Sequence, residues 1–288
     1  MKNLNLLDWT SLDKIKKFKI NKKNKYELSK LQRELCVTMC VNGGDGHIPS
    51  AFSLIEIITF LYTDILKINN KNLNNPNRDV FILSKGHGCL ALYTNLFLKN
   101  FVTKKDIFNF CKKNGLLGEH PDSTKIKGVE ACTGSLGHGL SFGAGIALGK
   151  KIKNYKGFVY VVIGDGECHE GSVWETANIA KNFNLSNLIY FVDWNQSAMQ
   201  LLPYDQMVNK WKAFGWETYL INGHKYNELE KTLEKIKKNK NNSPKVIVCK
   251  TIKGKGAKML EGHGMWHHKI PNEQEYIKIL KQIKSYKY

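Results

Sequence analysis

No run of apolar residues in this chain approaches the ~20 needed to span a bilayer. Its opening, Met1-Lys2-Asn3-Leu4-Asn5, leads into mixed charged sequence without an apolar signal core. Both absences predict a cytoplasmic protein with no membrane role. Arginine is nearly missing: among 44 basic residues only Arg33 and Arg78 are not lysine. That leaves little capacity for bidentate recognition of bases or phosphates. The net charge of +19 therefore does not indicate nucleic-acid binding. The lysines are scattered and accompany asparagine, as in Asn69-Asn70-Lys71-Asn72, and read as solvated surface. Their field still favours anionic substrates or an acidic partner. Cysteine pairing is lacking too. The seven cysteines (36, 40, 89, 111, 132, 168 and 249) form no CxxC pair and no zinc spacing. Most lie in apolar runs, which predicts buried free thiols and a reducing compartment. There is no internal repeat and no clear boundary, so residues 1–288 read as a single domain, with 1–25 a polar lead-in carrying a short helix.

What is present is an alternation of strands and helices. Helical patterns are predicted over 26–41, which reads as amphipathic, and over 50–66 with Ser50 as N-cap, then 89–99, about 138–149, 171–184 and 225–239. Apolar runs at 80–83, 158–163, 187–193 and 245–251 predict strands. The near-continuous apolar run at 158–163 is that of a parallel strand covered on both faces. This order predicts a three-layer α/β/α fold with a mainly parallel central sheet.

Two of these strands end in oxygen-bearing side chains. Gly164-Asp165-Gly166 closes the first and Asp193-Trp194-Asn195 the second. Adjacent parallel strands place Asp165 and Asn195 at one carboxyl edge, where α/β proteins bind ligands. A carboxylate and an amide oxygen suit a hard cation, Mg2+ or Ca2+, that shares its shell with a phosphate. The flanking glycines allow close approach of a bulky anion. Six of the nine histidines stand in glycine- or proline-rich loops: His47, His87, His120, His138, His263 and His267. They suit hydrogen bonding to hydroxyls and phosphates, or proton movement near neutral pH. Glu170 and Glu175 lie at the start of the helix after the Asp165 turn, where negative charge also complements the helix dipole.

These segments resemble the thiamine-diphosphate-binding, N-terminal part of transketolase from about residue 26 to 271. The resemblance rests on Gly164-Asp165-Gly166…Asn195, Gly46-His47-Ile48-Pro49, Ser84-Lys85-Gly86-His87-Gly88, Glu119-His120-Pro121-Asp122, Gly128-Val129-Glu130, Thr133-Gly134-Ser135-Leu136-Gly137 and Trp266-His267. It implies that Asp165, Asn195 and the Ser197 carbonyl hold the divalent cation. It implies cofactor contacts from His87, Gly134, Ser135, Leu136, Asp165, Gly166, Glu167, Asn195 and His267. His47, His87, His120 and His267 would contact the sugar, and Glu170 would link paired active sites across a dimer interface, with Glu175 nearby. The implied reaction transfers a two-carbon ketol unit from a ketose phosphate to an aldose.

Several positions depart from the full-length family pattern: Ile48-Pro49 after His47, Lys85 for a usual Asn, His138 for a usual Gln and Ser135 for a common Pro. Lys85 and His138 look like a two-chain version of the family. The chain also stops where the first domain of the full-length enzymes ends. The resemblance thus implies a separate subunit carrying the pyrimidine-binding and C-terminal domains, assembled as a dimer of heterodimers. The alternatives are a specialised sugar-biosynthesis transketolase, another thiamine-dependent enzyme such as a deoxyxylulose-phosphate synthase-like protein, and a non-catalytic cofactor-binding subunit.

Overall fold

The computed structural model describes residues 7–203, 206–262 and 264–288. Two compact units are formed. One comprises residues up to Asp64, His87–Gly128 and Ile252–Tyr288; the other comprises Ile65–Gly86 and Val129–Thr251.

The second unit carries the sheet. Strands β1 (Val80–Leu83), β2 (Val159–Gly164), β3 (Leu188–Trp194), β4 (Glu217–Asn222) and β5 (Lys245–Lys250) lie in the order β1-β2-β3-β5-β4, and all neighbours are parallel. Every residue of β2 and β3 is buried, so both faces of the sheet centre are covered. On one face, Val161, Ile163, Tyr190 and Val192 join a core with residues of three helices. These are Leu140 and Ala144 of α7 (His138–Ile152), Val173 and Ala177 of α8 (Gly171–Asn182) and Trp211 of α9 (Met207–Ala213). Gly143 explains how closely α7 sits: a Cβ there would lie 2.5 Å from Val161 Cγ2. Helix α10 (Tyr226–Lys238) connects β4 to β5. The predicted strands are found to within a residue at each end. Strand β4 was not predicted. It is an edge strand, half-exposed along its length, and so shows neither a clean alternation nor a continuous apolar run.

The first unit is helical: α1 (Thr10–Lys17), α2 (Lys25–Gly43), α3 (Ile48–Phe52), α4 (Ile55–Phe60), α5 (Cys89–Leu98), α6 (Lys104–Phe108) and α11 (Glu273–Ser285). The short helix of the lead-in, α1, is part of the packed structure, with Leu12 and Ile15 buried. Helix α2 is central rather than amphipathic. Residues 32–41 are buried without interruption, and α1, α4, α5 and α11 all pack against it. Several of its polar side chains are tolerated because they have partners. Gln32 accepts from Thr59 Oγ1 at 2.6 Å, and Thr38 Oγ1 lies 3.0 Å from Tyr276 Oη of α11. Arg33 forks onto Glu56 at 2.7 and 2.9 Å and also donates to the carbonyls of Phe52 and Lys255.

The helix expected at 50–66 is broken. It starts earlier, with His47 at the N-cap position and Pro49 in the first turn, where a fixed φ and a missing N–H cost nothing. Ser50 is therefore inside the helix, not at its cap. The chain bends at Ser53–Leu54 and ends in a π turn, Leu61–Ile65. Helix α11 was not predicted either; it begins with a reciprocal capping box between Asn272 and Glu275. All seven cysteines are free, and five of them are buried, as their apolar settings predicted. Among the described residues, no helix is long and apolar enough to cross a membrane.

Candidate functional site

The predicted residues fall into two clusters, one in each unit. In the second unit, the β2–β3 register pairs Gly164 with Asp193. Asp165 and Asn195 thus emerge side by side just beyond two adjacent strand ends, and the Asp165 N–H donates to the Asp193 carbonyl at 3.2 Å. Asp165 Oδ1 accepts from the Gly166 N–H at 2.9 Å, while the buried Oδ2 has no partner. Burial and the neighbouring Asp193 carboxylate push the Asp165 carboxyl above its usual range, against the opposing pull of Lys85. A buried carboxylate oxygen without a donor, beside a second carboxylate and an amide, fits a hard cation. The residues present therefore fit the divalent cation that the family pattern implies. A Cβ on Gly166 would meet only Ala198 Cβ, at 3.7 Å, so the chain leaves open space beside this backbone.

Three residues without a predicted role hold the pair in place. Asp193 Oδ2 accepts from Lys85 Nζ at 2.5 Å and from Asn195 Nδ2 at 2.9 Å; its Oδ1 accepts from Thr251 Oγ1. This fixes which way the Asn195 amide faces, with its Oδ1 accepting from the Ser197 N–H at 3.0 Å. The tight turn at Gln196 has φ 62°. Asp193 was legible only as the end of an apolar run, and Lys85 only as a departure from a family pattern.

Glu167, expected to contact the cofactor, uses its carboxylate to join loops. Its carboxylate is buried and turned inward: Oε1 accepts from Ser84 Oγ at 2.5 Å and the Gly137 N–H at 3.0 Å, and Oε2 from the Gly164 N–H at 2.8 Å. With both oxygens engaged, it ties together the loops at Ser84, Gly137 and Gly164. The Gly134–Leu136 segment lies over Gly86, where a Cβ would come within 2.8 Å of the Gly134 nitrogen and the Thr133 carbonyl. Gly86→Ala must therefore displace backbone of that segment. We expect at least about tenfold weaker thiamine diphosphate binding, ~1.4 kcal/mol, by titration calorimetry; unchanged affinity would remove the segment from the cofactor contacts.

His138 is exposed as the first residue of α7, with Gly137 before it at φ 83°. Glu170 is exposed at the N-cap of α8, and Glu175 is exposed one turn on. His263 lies outside the described residues.

In the first unit, three of the predicted histidines meet. The His47 ring centroid is 5.3 Å from that of His87 and 5.2 Å from that of His267, and His87 and His267 are 6.1 Å apart. Burial, then the electrostatic influence of His268, His267 and His120, lowers the His47 imidazole to about 4. His120 thus belongs to the same neighbourhood; its carbonyl, with that of Gly118, accepts from Tyr93 Oη. Lys253, buried, places Nζ 2.9 Å from His267 Nδ1 and was not anticipated. Nor were Asp45, Glu119 and His268, which surround His47. A cluster of imidazoles beside an ammonium offers donors and acceptors for hydroxyl groups.

The lowered His47 has a checkable consequence. Between pH 6.5 and about 4, the unfolded chain binds a proton at this residue that the folded chain does not. Its stabilising contribution is therefore complete above pH 6.5 and declines as the pH falls towards 4. NMR of the imidazole nitrogens should give His47 a midpoint near 4, and a midpoint near 6.5 would remove this account.

The family described as "Transketolase, thiamine diphosphate binding domain" matches residues 25–287. An apulose-4-phosphate transketolase subunit of Actinobacillus succinogenes is 36% identical over 260 residues, 88% of this chain and 94% of its own length. The 6-deoxy-6-sulfo-D-fructose transketolase subunit of a Clostridium species is 38% identical over 226 residues, 76% of this chain and 81% of its own. The crystal structure of Campylobacter jejuni transketolase superposes with a TM-score of 0.83 at 30% identity, covering 92% of this chain but only 43% of that one. The chain thus belongs to the transketolase family, as the thiamine-diphosphate-binding part of a transketolase-type transferase.

Proposed function

We propose that this chain is the cofactor-anchoring subunit of a two-chain transketolase that moves a two-carbon ketol unit from a ketose phosphate to an aldose. The observation that carries the reading is the buried, unpartnered Asp165 Oδ2 beside Asn195 at the ends of β2 and β3. When bound, thiamine diphosphate supplies the carbanion chemistry that cleaves and forms the carbon–carbon bond. Asp165, Asn195 and the Ser197 carbonyl would hold Mg2+ or Ca2+, and Gly166 and the Gly134–Leu136 segment would contact the cofactor. His47, His87, His120 and His267 hydrogen-bond the sugar hydroxyls and carry protons between them. Burial keeps His47 neutral at pH 7, so its ring has one donor and one acceptor nitrogen for this work.

A second polypeptide supplies the pyrimidine-binding and C-terminal domains, in a dimer of such pairs. Two relatives matched over 92% and 94% of their own length are each named as one subunit of a transketolase, which supports this. So do the exposed Phe142 of α7, Ile179 of α8 and Phe183 at the C-cap of α8, apolar side chains suited to burial against a partner. A Cβ at Gly145 or Gly149 of α7 would meet nothing within 4 Å. Glu170 and Glu175 stand on the exposed start of α8, suited to a hydrogen-bonded link between paired sites. Relatives named for apulose 4-phosphate and for a sulfo-sugar favour a specialised sugar pathway over a general one.

Co-expression with the product of the adjacent reading frame should give a stable complex that exchanges ketol units between sugar phosphates. A complex that releases carbon dioxide from pyruvate and ignores ketoses would overturn the transketolase reading. Full activity of the chain alone would overturn the two-chain assembly.

A further inference from the structure

We propose that His47, Glu119 and His268 form a Zn2+ site in the first unit, with Asp45 beside His268. His47 Nδ1 lies 3.2 Å from Glu119 Oε1, His268 Nε2 lies 3.2 Å from the same oxygen, and His268 Nε2 lies 2.9 Å from Asp45 Oδ1. The ligand atoms of His47, Glu119 and His268 all fall within 4.8 Å of one another. A tetrahedral zinc with bonds of about 2.0–2.2 Å separates its ligands by ~3.4 Å, within a few tenths of an ångström of the three short distances.

The donor set matches in kind as well as in spacing. Imidazole nitrogens with carboxylate oxygens select zinc, whereas Mg2+ and Ca2+ prefer oxygen alone, as around Asp165. His47 Nδ1 is buried and makes no hydrogen bond, even though the Glu119 oxygen is only 3.2 Å away. A buried imidazole nitrogen that makes no hydrogen bond and faces a carboxylate oxygen is placed to share a cation with it. His268 is half exposed, with its side chain 52% accessible, which gives the ion an entry path.

Zinc on His47 Nδ1 would take that imidazole away from the sugar and inhibit ketol transfer. This consequence, unlike the site itself, rests on the proposed role of His47.

The test uses the full chain, stripped of metal by a chelator and dialysed, then titrated calorimetrically with ZnCl2. One tight equivalent is expected. His268→Ala and Glu119→Gln should each weaken it at least tenfold, while Asp165→Ala should leave it unchanged. Co2+ in the same site should show the intense visible absorption of four-coordination, lost in His268→Ala. Equal zinc affinity in wild type and His268→Ala would overturn the site, as would a loss in Asp165→Ala matching that in His268→Ala. In the active two-chain complex, zinc should inhibit wild type and spare His268→Ala. Zinc that binds with the expected variant pattern and inhibits neither would keep the site and refute the sugar-binding role of His47.

Discussion

Replacing Asp165 with asparagine is expected to lower the cation-dependent affinity for thiamine diphosphate by at least about a hundredfold, ~2.7 kcal/mol. The same change should stabilise the metal-free protein. Both expectations follow from one atom. Asp165 Oδ2 is buried without a partner, and the Asp193 carboxylate beside it raises the cost of charge further. In the absence of a cation this arrangement is unfavourable, since the single Gly166 N–H on Oδ1 leaves a buried carboxylate oxygen unsatisfied. Asparagine keeps the shape, removes the charge and discards the anionic ligand the cation needs. Opposite signs for stability and binding mark a residue retained for its ligand rather than for folding. Fluorescence titration of the two-chain complex, read through Trp194 next to Asn195, measures the first effect, and chemical denaturation of the metal-free chain the second. Unchanged affinity would remove Asp165 from the metal site, and a large loss of metal-free stability would make it a structural residue.

Replacing Arg33 with methionine should destabilise the chain by about 3–5 kcal/mol, a large part of the stability of a typical domain. Arg33 and Glu56 have side chains only 1% and 0% exposed, and their bidentate pair lies between α2 and α4. The guanidinium also donates to the carbonyls of Phe52 and Lys255, joining the α3 end to the chain preceding α11. Without it, Glu56 is left charged in an apolar interior and two carbonyls lose a donor. The double variant Arg33→Met, Glu56→Leu should recover most of the loss, because no unpaired charge remains. Urea unfolding of the single and double variants decides this. A single-variant loss under ~1 kcal/mol would show that water or a rearranged side chain replaces the guanidinium.

These two residues show where the sequence is informative and where it is not. Asp165 and Asn195 are legible because one strand–helix–strand unit brings residues thirty positions apart to neighbouring strand ends, a local rule of parallel sheets. The continuous apolar runs of β2 and β3 are legible for the same reason: central parallel strands are buried on both faces. The edge strand β4 is not, because half-exposed positions blur its period. Arg33 looks like any residue of an amphipathic helix until the packing of α1, α4, α5 and α11 around α2 makes its charge an interior one.

By itself the sequence placed oxygen-bearing side chains at the ends of two strands and histidines in glycine- and proline-rich loops, since each motif is a short run readable from its residue types. Tertiary structure alone decided what surrounds them. Lys85 reaches Asp193 across 108 positions, His268 reaches Asp45 across 223, and Glu167 turns its carboxylate inward to bind three loops. No periodicity or spacing encodes such pairs. They exist because buried charges must find partners wherever the folded chain provides them.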